Sequence, residues 1–206
     1  VVVKNFGADT LRMYELFLGP HEAMVAWNDK GIVGVARYLD RVWEWGNRIK
    51  NYELRIKNSE KAEREINKLV KKITEDIENF RFNTCISAFM EFYNQVKDES
   101  VDVESVRKFL ILLYPFAPHI AEELNAHLGK VGKKKTGSLQ LEPWPTFDAS
   151  VIVEKEVEVV VQVNGKVKGK IKLPAGSEEE AVKIEALNSE AVKKAMANDT
   201  VKRVIF

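Results

Sequence analysis

The sequence predicts a molecule of two architectures, α followed by α+β: an antiparallel helical bundle, then a small domain of a β-hairpin, a helix and a strand. Three observations predict it. From about residue 8 to residue 129 apolar residues recur every three or four positions, the spacing of one helix face. A stretch rich in glycine, lysine and proline, KVGKKKTGSLQLEPWPTFDAS, then breaks the pattern. Beyond it the period falls to two, in EVEVVVQV and KVKGKIKL on either side of Asn164-Gly165. These shifts give a bundle over 1–129, a linker over 130–153 and a small C-terminal domain over 154–206.

The first bundle helix, ADTLRMYELFLG, starts near Asp9, whose carboxylate suits a helix N-terminus, and stops at Gly19-Pro20. The second runs through IVGVARYLDRVWEWGNRI with Val35, Leu39, Val42, Gly46 and Ile49 on one face. In the third, Ile66, Leu69, Ile73, Ile77 and Phe80 step by three and four among lysines and glutamates. Asn83 reads as the cap of a fourth helix with Ile86, Phe89, Tyr93 and Val96 inward, and Asp102 as the cap of a fifth, VESVRKFLILLY, which belongs at the bundle centre. Pro115 and Pro118 end that run; Pro118 fits the first turn of a last helix, HIAEELNAHLG, closed by Gly129. The linker is pinned where Trp144 packs. In the small domain Ser177 and Glu180 form a capping box for SEEEAVKIEALN, a second short helix follows from Ser189, and VKRVIF is a third strand.

Register decides what becomes of four lysines at alternate positions, Lys166, Lys168, Lys170 and Lys172. A two-residue Asn-Gly loop sets Val163 opposite Lys166 and Val161 opposite Lys168, which mixes apolar and charged residues on each face. A three-residue loop, Val163 to Gly165 with glycine left-handed, restores the parity and puts Val161 against Val167, Val159 against Gly169 and Val157 against Ile171. The expectation is therefore a bulged hairpin. Its other face pairs Glu158 with Lys170 and Glu156 with Lys172, leaving Lys166 and Lys168 at the tip without acidic partners.

Bulk composition excludes several classes. Lys+Arg at 32 against Asp+Glu at 31 leaves a net charge of +1, so any electrostatic function rests on local pattern. Cys85, the single cysteine, forms no internal disulfide and suits a small buried hydrophobe in a reducing compartment. No apolar run reaches the roughly 20 residues of a bilayer span, and VVVKNFGAD is unlike a signal peptide, so a soluble cytoplasmic protein without a membrane partner is expected. His21, His119 and His127 are the only histidines. His119, Glu123 and His127 can share a helix face, which reads as structural; no metal-ligand spacing, phosphate-binding glycine loop or catalytic constellation is present.

Three basic features remain. Arg37, Arg41 and Arg48 form a stripe on the second helix that suits phosphate contacts, or a solvated face beside Asp40 and Glu44. Lys130, Lys133, Lys134 and Lys135 in the linker read as solvated. Lys166 and Lys168 at the hairpin tip read as a phosphate grip or as a solvated strand. The tryptophans and tyrosines sit at core spacing or beside prolines and read as packing.

The segments GADTLRMYELFLGP, WNDKGIVGVARYLDRVW, FRFNTCISAFMEF, LLYPFAPHIAEELNAHLG, LEPWP, VVVQVNGKVKGKIKLPA and VKRVIF, in this order, closely resemble the C-terminal portion of bacterial leucyl-tRNA synthetases. Valyl, isoleucyl and methionyl enzymes carry a similar helical anticodon-binding bundle; the VQVNGKVKGK hairpin points to leucine. The resemblance implies a class I leucine-tRNA ligase that uses ATP with Mg²⁺, of which this chain is a piece without the ATP-binding motifs or the editing domain. The chain itself then binds no cofactor or metal and holds no catalytic residue. Its partners are leucine-accepting tRNA and the catalytic portion of the same synthetase. The resemblance also implies that the bundle lies along the anticodon-stem side, with Arg37, Arg41 and Arg48 on the backbone, and that the small domain reaches the elbow through Lys166 and Lys168. The family continues past VKRVI through a Pro-Gly turn and another strand, so either an unpaired edge in the small domain or a trimmed chain is expected. The reading from a different class is a protein-interaction scaffold that docks a catalytic subunit.

Overall fold

The computed structural model describes residues 1–20, 22–49, 57–132, 137–153, 156–174, 177–196 and 203–204. Two compact units divide the chain, Val1–Ile152 and Val153–Phe206. The first is helical: α1 Val2–Phe6, α2 Ala8–Phe17, α3 Gly31–Ile49, α4 Glu60–Glu78, α5 Phe82–Val96, α6 Val103–Leu113, α7 Pro118–Gly132 and α8 Ala149–Ile152, with a 3₁₀ turn at Leu139–Leu141. The second holds β1 Glu156–Val163, β2 Lys166–Pro174, α9 Glu179–Asn188 and α10 Glu190–Met196. The expected architecture, a helical bundle followed by a small α+β part, is the one observed.

The core follows the apolar stripes. Val35 and Val42 of α3, Ile66 and Ile73 of α4, Ile86, Phe89 and Val96 of α5, and Phe109, Leu110, Leu112 and Leu113 of α6 are all fully buried. Gly46 carries α7 close to α3, since a Cβ there would lie 2.7 Å from a Leu124 methyl. Cys85 is buried, which pushes its thiol up to about 12, with the Asp76 charge adding to the effect.

The corner between α4 and α5 departs from the apolar repeat. α4 ends at Glu78, and Phe80 takes a left-handed conformation (φ 55°) with 59 % of its surface exposed, instead of extending the inner stripe. The Phe80 N–H donates to Ile77 O at 3.1 Å and the Arg81 N–H to Asp76 O at 2.8 Å, the paired bonds of a Schellman ending with phenylalanine where glycine is usual. Arg81, not Asn83, precedes the first turn of α5. Asp76 sits inside this corner with its side chain wholly buried. Lys72 Nζ lies 2.7 Å and Arg81 Nε 3.0 Å from its carboxylate, and the Thr84 hydroxyl donates to it at 2.6 Å. Burial by itself raises a carboxyl pKa, but the hydrogen bonds from Lys72 and Thr84 and the charges of Lys72 and Arg81 outweigh it and hold Asp76 below its ordinary range.

Polar side chains also fix the other ends. At the start of α4 the Ser59 hydroxyl accepts from Ala62 N–H and donates to Glu99, while the Asn58 side chain bridges the Asp102 N–H and the Ser105 hydroxyl. Asp102 caps α6 as expected, accepting from Ser105 N–H at 2.7 Å. Asp9 does not cap its own helix, whose N-cap is Gly7. It accepts from the Ile120 N–H at 2.8 Å and from the His119 N–H at 3.4 Å, and lies 2.7 Å from His119 Nδ1. One carboxylate thus caps α7 from 110 residues away.

The segment that composition marks as linker is packed where it is described. α7 continues through Gly129 to Gly132. The Trp144 indole donates to Thr74 Oγ1 at 2.9 Å, the Asp148 N–H donates to the buried Asn67 at 2.8 Å, and Arg107 pairs with Glu142. Trp144, Leu16, Ile77, Phe82 and Phe116 line a shallow apolar cavity of about 490 Å³.

In the second unit β1 and β2 pair antiparallel, and Ile171, Val182 and Val192 are buried where α9 and α10 meet the strands. The Ser177–Glu180 capping box does not form: α9 begins at Glu179 behind Glu178, and the Ser177 hydroxyl donates to Pro174 O at 2.6 Å, closing a turn instead. α10 starts just after Ser189. Of the expected third strand only Arg203 and Val204 are described, outside any strand; the rest lies outside the described residues.

Three substitutions test these contacts. Asp76→Ala leaves Lys72, Arg81 and Thr84 without their acceptor and should cost about 2–3 kcal/mol in urea denaturation, below the fully buried case because both cations are half exposed. Asp76 has a lowered folded pKa, so its contribution is complete above about pH 4 and lost as pH falls through that lowered value; Asp76→Asn should flatten this acid limb of the stability profile. Asp9→Ala should cost about 1–2 kcal/mol and raise amide exchange at Ile120; unchanged exchange there would contradict the long-range cap.

Candidate nucleic-acid interface

α3 presents the arginine stripe because 37, 41 and 48 fall within about 40° of one another at 100° per residue, over about 16 Å of axis. All three side chains are exposed, opposite the buried face that anchors the helix. Asp40 and Glu44 are exposed beside them and form no ion pair with them. Their surroundings differ. Arg37 has no hydrogen bond or ion pair among the described residues. The Arg41 guanidinium lies 5.7 Å from the centre of the Tyr93 ring. Arg48 Nη2 donates to the Lys97 carbonyl just past α5 at 3.4 Å. Among the described residues no arginine of the stripe is held in an ion pair, so the face offers three unpaired guanidinium groups with Asp40 and Glu44 beside them.

The hairpin tip is positive by a different route from the one parity suggests. Asn164 (φ 51°) and Gly165 (φ 74°) are both left-handed, so the loop has two residues, in the sense that matches strand twist. Val163 pairs with Lys166 and Gln162 with Val167. The irregularity comes one pair later: Val161 pairs with Gly169, so Lys168 is the extra residue of a bulge. From there Val159 pairs with Ile171 and Val157 with Leu173. A bulge was expected, but at the turn; its position shifts the register by two, so Glu158 stands opposite Lys172 and Val160 opposite Lys170.

The lysines therefore do not form one comb. Lys170 and Lys172 share the face of Val160, whereas Lys166 lies across from Val163 on the other face, and the bulge between them makes the switch. Lys166 and Lys168 are exposed and have no ion pair among the described residues. Val167 stands between them with 61 % of its surface exposed.

The two described histidines are occupied structurally. His127 Nε2 is 3.3 Å from Glu123 and its ring packs on Trp43, while His119 belongs to the Asp9 cap. Among the described residues no cluster of histidine, cysteine and carboxylates has the makings of a metal site, and no helix is long and apolar enough to cross a membrane. His21 and Lys133, Lys134 and Lys135 lie outside the described residues. Trp27 departs from its reading as packing: it touches Tyr14 edge-on at 5.0 Å, yet 44 % of it is exposed beside the fully exposed Met24. Sequence periodicity gives no signal for that loop, nor for the approach of Tyr93 to Arg41, which joins residues on separate helices.

Gly165 has open space around a would-be Cβ, so Gly165→Ala tests conformation alone. It should weaken the hairpin by about 1 kcal/mol, read as faster amide exchange in β1 and β2; unaltered exchange would contradict the two-residue turn.

Two likenesses to known proteins accompany this geometry. The family model described as the anticodon-binding domain of tRNA ligase matches residues 60–184. A LeuRS from Agrobacterium radiobacter K84 (agnB2), solved as a ternary complex with tRNA and LeuAMS, matches with a TM-score of 0.72 and 30 % sequence identity. The match covers 100 % of the present chain and 28 % of that LeuRS chain.

Proposed function

Because the chain belongs to the anticodon-binding domain family of tRNA ligases, we propose that it is the C-terminal, tRNA-docking portion of a leucyl-tRNA synthetase. The observation that carries this reading is the likeness along the entire chain, at 30 % identity, to a LeuRS solved with tRNA. The chain spans 28 % of that protein. On this reading ATP, its Mg²⁺ and leucine are handled by the catalytic portion in the cytoplasm, and the present chain holds RNA.

Arg37, Arg41 and Arg48 meet phosphates along the anticodon stem, and Lys166 and Lys168 meet the elbow. Such contacts set position and orientation without reading bases. Their value to catalysis is geometric: a tRNA held along its stem and elbow presents its acceptor end to a distant site with less orientational freedom to lose. The near-zero net charge supports local gripping points over a general affinity for polyanions.

A second surface fits the same reading. Met24, Val25 and Trp27 expose apolar area on a loop held by the Tyr14 hydroxyl at Asn28 O. Burying that area against the catalytic portion of the same synthetase accounts for it.

The test is a titration with leucine-accepting tRNA and an unrelated tRNA at several salt concentrations. Each phosphate contact adds about 0.7–0.9 to the slope of log K against log salt, so Lys166→Glu/Lys168→Glu should weaken binding and flatten the slope by about 1.5. Binding indifferent to the double reversal would remove the hairpin from the interface.

A further inference from the structure

We propose that Tyr93 and the C-terminal turn of α5 form a positioning platform that holds Arg41 and Arg48 ready for an RNA backbone. The inference rests on the reading of the α3 stripe as an RNA contact, and it assigns a role to residues that touch no RNA themselves.

Tyr93 is 7 % exposed, and its ring is fixed on two sides. Tyr38 meets it edge-on at 6.2 Å and 89°, and Trp45 at 6.4 Å and 82°. Trp45 is in turn held edge-on to Phe109 at 5.5 Å. The ring therefore offers a fixed surface to the exposed Arg41 guanidinium, 5.7 Å from its centre, within the range of cation–π attraction. A guanidinium resting on an aromatic ring retains N–H donors in its own plane for phosphate oxygens. Arg48 is tethered by one donor to the Lys97 carbonyl at 3.4 Å, at the helix end where the backbone dipole favours a cation. Its other donors stay free for a ligand.

Arg37 supplies the contrast, since nothing among the described residues restrains it. A free arginine gives up much of its rotamer entropy when it contacts a phosphate, whereas one already restrained has less to lose. The simple alternative is that Arg41 only shields a core ring from water. The two roles differ in coupling: a shield affects stability, while a platform affects RNA affinity through Arg41 and through no other route.

A double-mutant cycle on the full chain separates them, with a leucine-accepting tRNA transcript as probe and urea denaturation run on every variant. Tyr93→Leu should weaken binding about two- to five-fold with an unchanged salt slope, and Tyr93→Phe should bind like the parent. Arg41→Lys keeps the charge without the planar group and does not disturb the core. It should reproduce the Tyr93→Leu loss, again without changing the slope. Arg41→Gln should lower affinity and reduce the slope by about 0.7–0.9, and adding Tyr93→Leu to it should cost nothing more. A Tyr93→Leu loss of equal size in the Arg41→Gln background, or full affinity in Arg41→Lys while Arg41→Gln is weakened, overturns the platform and leaves the stripe standing. Full affinity in both Arg41→Gln and Arg37→Gln overturns the stripe reading, and the platform with it.

Discussion

The helical unit turns on one buried carboxylate. Asp76 is the last fully buried position of α4, and the side chains of Lys72, Arg81 and Thr84 converge on it. Such a group is tolerated in a protein interior only when its charge is met. Lys72 and Thr84 meet one oxygen with hydrogen bonds, and Arg81 faces the other as an ion pair without a hydrogen bond. Arg81 and Thr84 arrive from the start of α5, so the carboxylate dictates the corner as well as occupying it. The left-handed Phe80 is the local cost of that arrangement, offset by the paired backbone bonds that close the helix.

From that corner α5 runs back along α4 and delivers Tyr93 and Lys97 to the flank of α3. The arginine stripe is thus a product of packing between helices. Its charges stand on an exposed face, but two of the three are restrained from below by groups that belong to the core or to a helix end. The hairpin reaches a similar outcome by other means. A tight left-handed pair of residues and a bulge place two lysines and a valine at a protruding tip, without any ion pair to neutralise them among the described residues.

Both candidate surfaces carry basic side chains on a helix or a hairpin of a nearly neutral molecule. On the proposed function, that combination suits an RNA held at a few points. Several titratable groups of the helical unit instead secure geometry: His119 and His127 pair with Asp9 and Glu123, and Asp102 holds a helix end. Asp9 illustrates the point, since its carboxylate joins the first long helix to the last.

What the sequence determined by itself was the periodic part. Helices α3 to α7, their inner faces, the Asp102 cap, the change to strands and the stripe at Arg37, Arg41 and Arg48 all follow from spacing, because burial against a common core repeats every 3.6 residues in a helix and every two in a strand. The tertiary structure decided what depends on meetings between distant residues. Asp9 looked like a local cap and serves α7; Phe80 matched the repeat and left it for Asp76; Ser177 had its capping-box partner in sequence and bonded to Pro174 instead. The hairpin register divided in the same way. Alternation required a bulge somewhere, but only the backbone angles of Asn164 and Gly165 put it at Lys168, since a polar group or a turn has several local solutions of similar energy and the surrounding packing chooses among them.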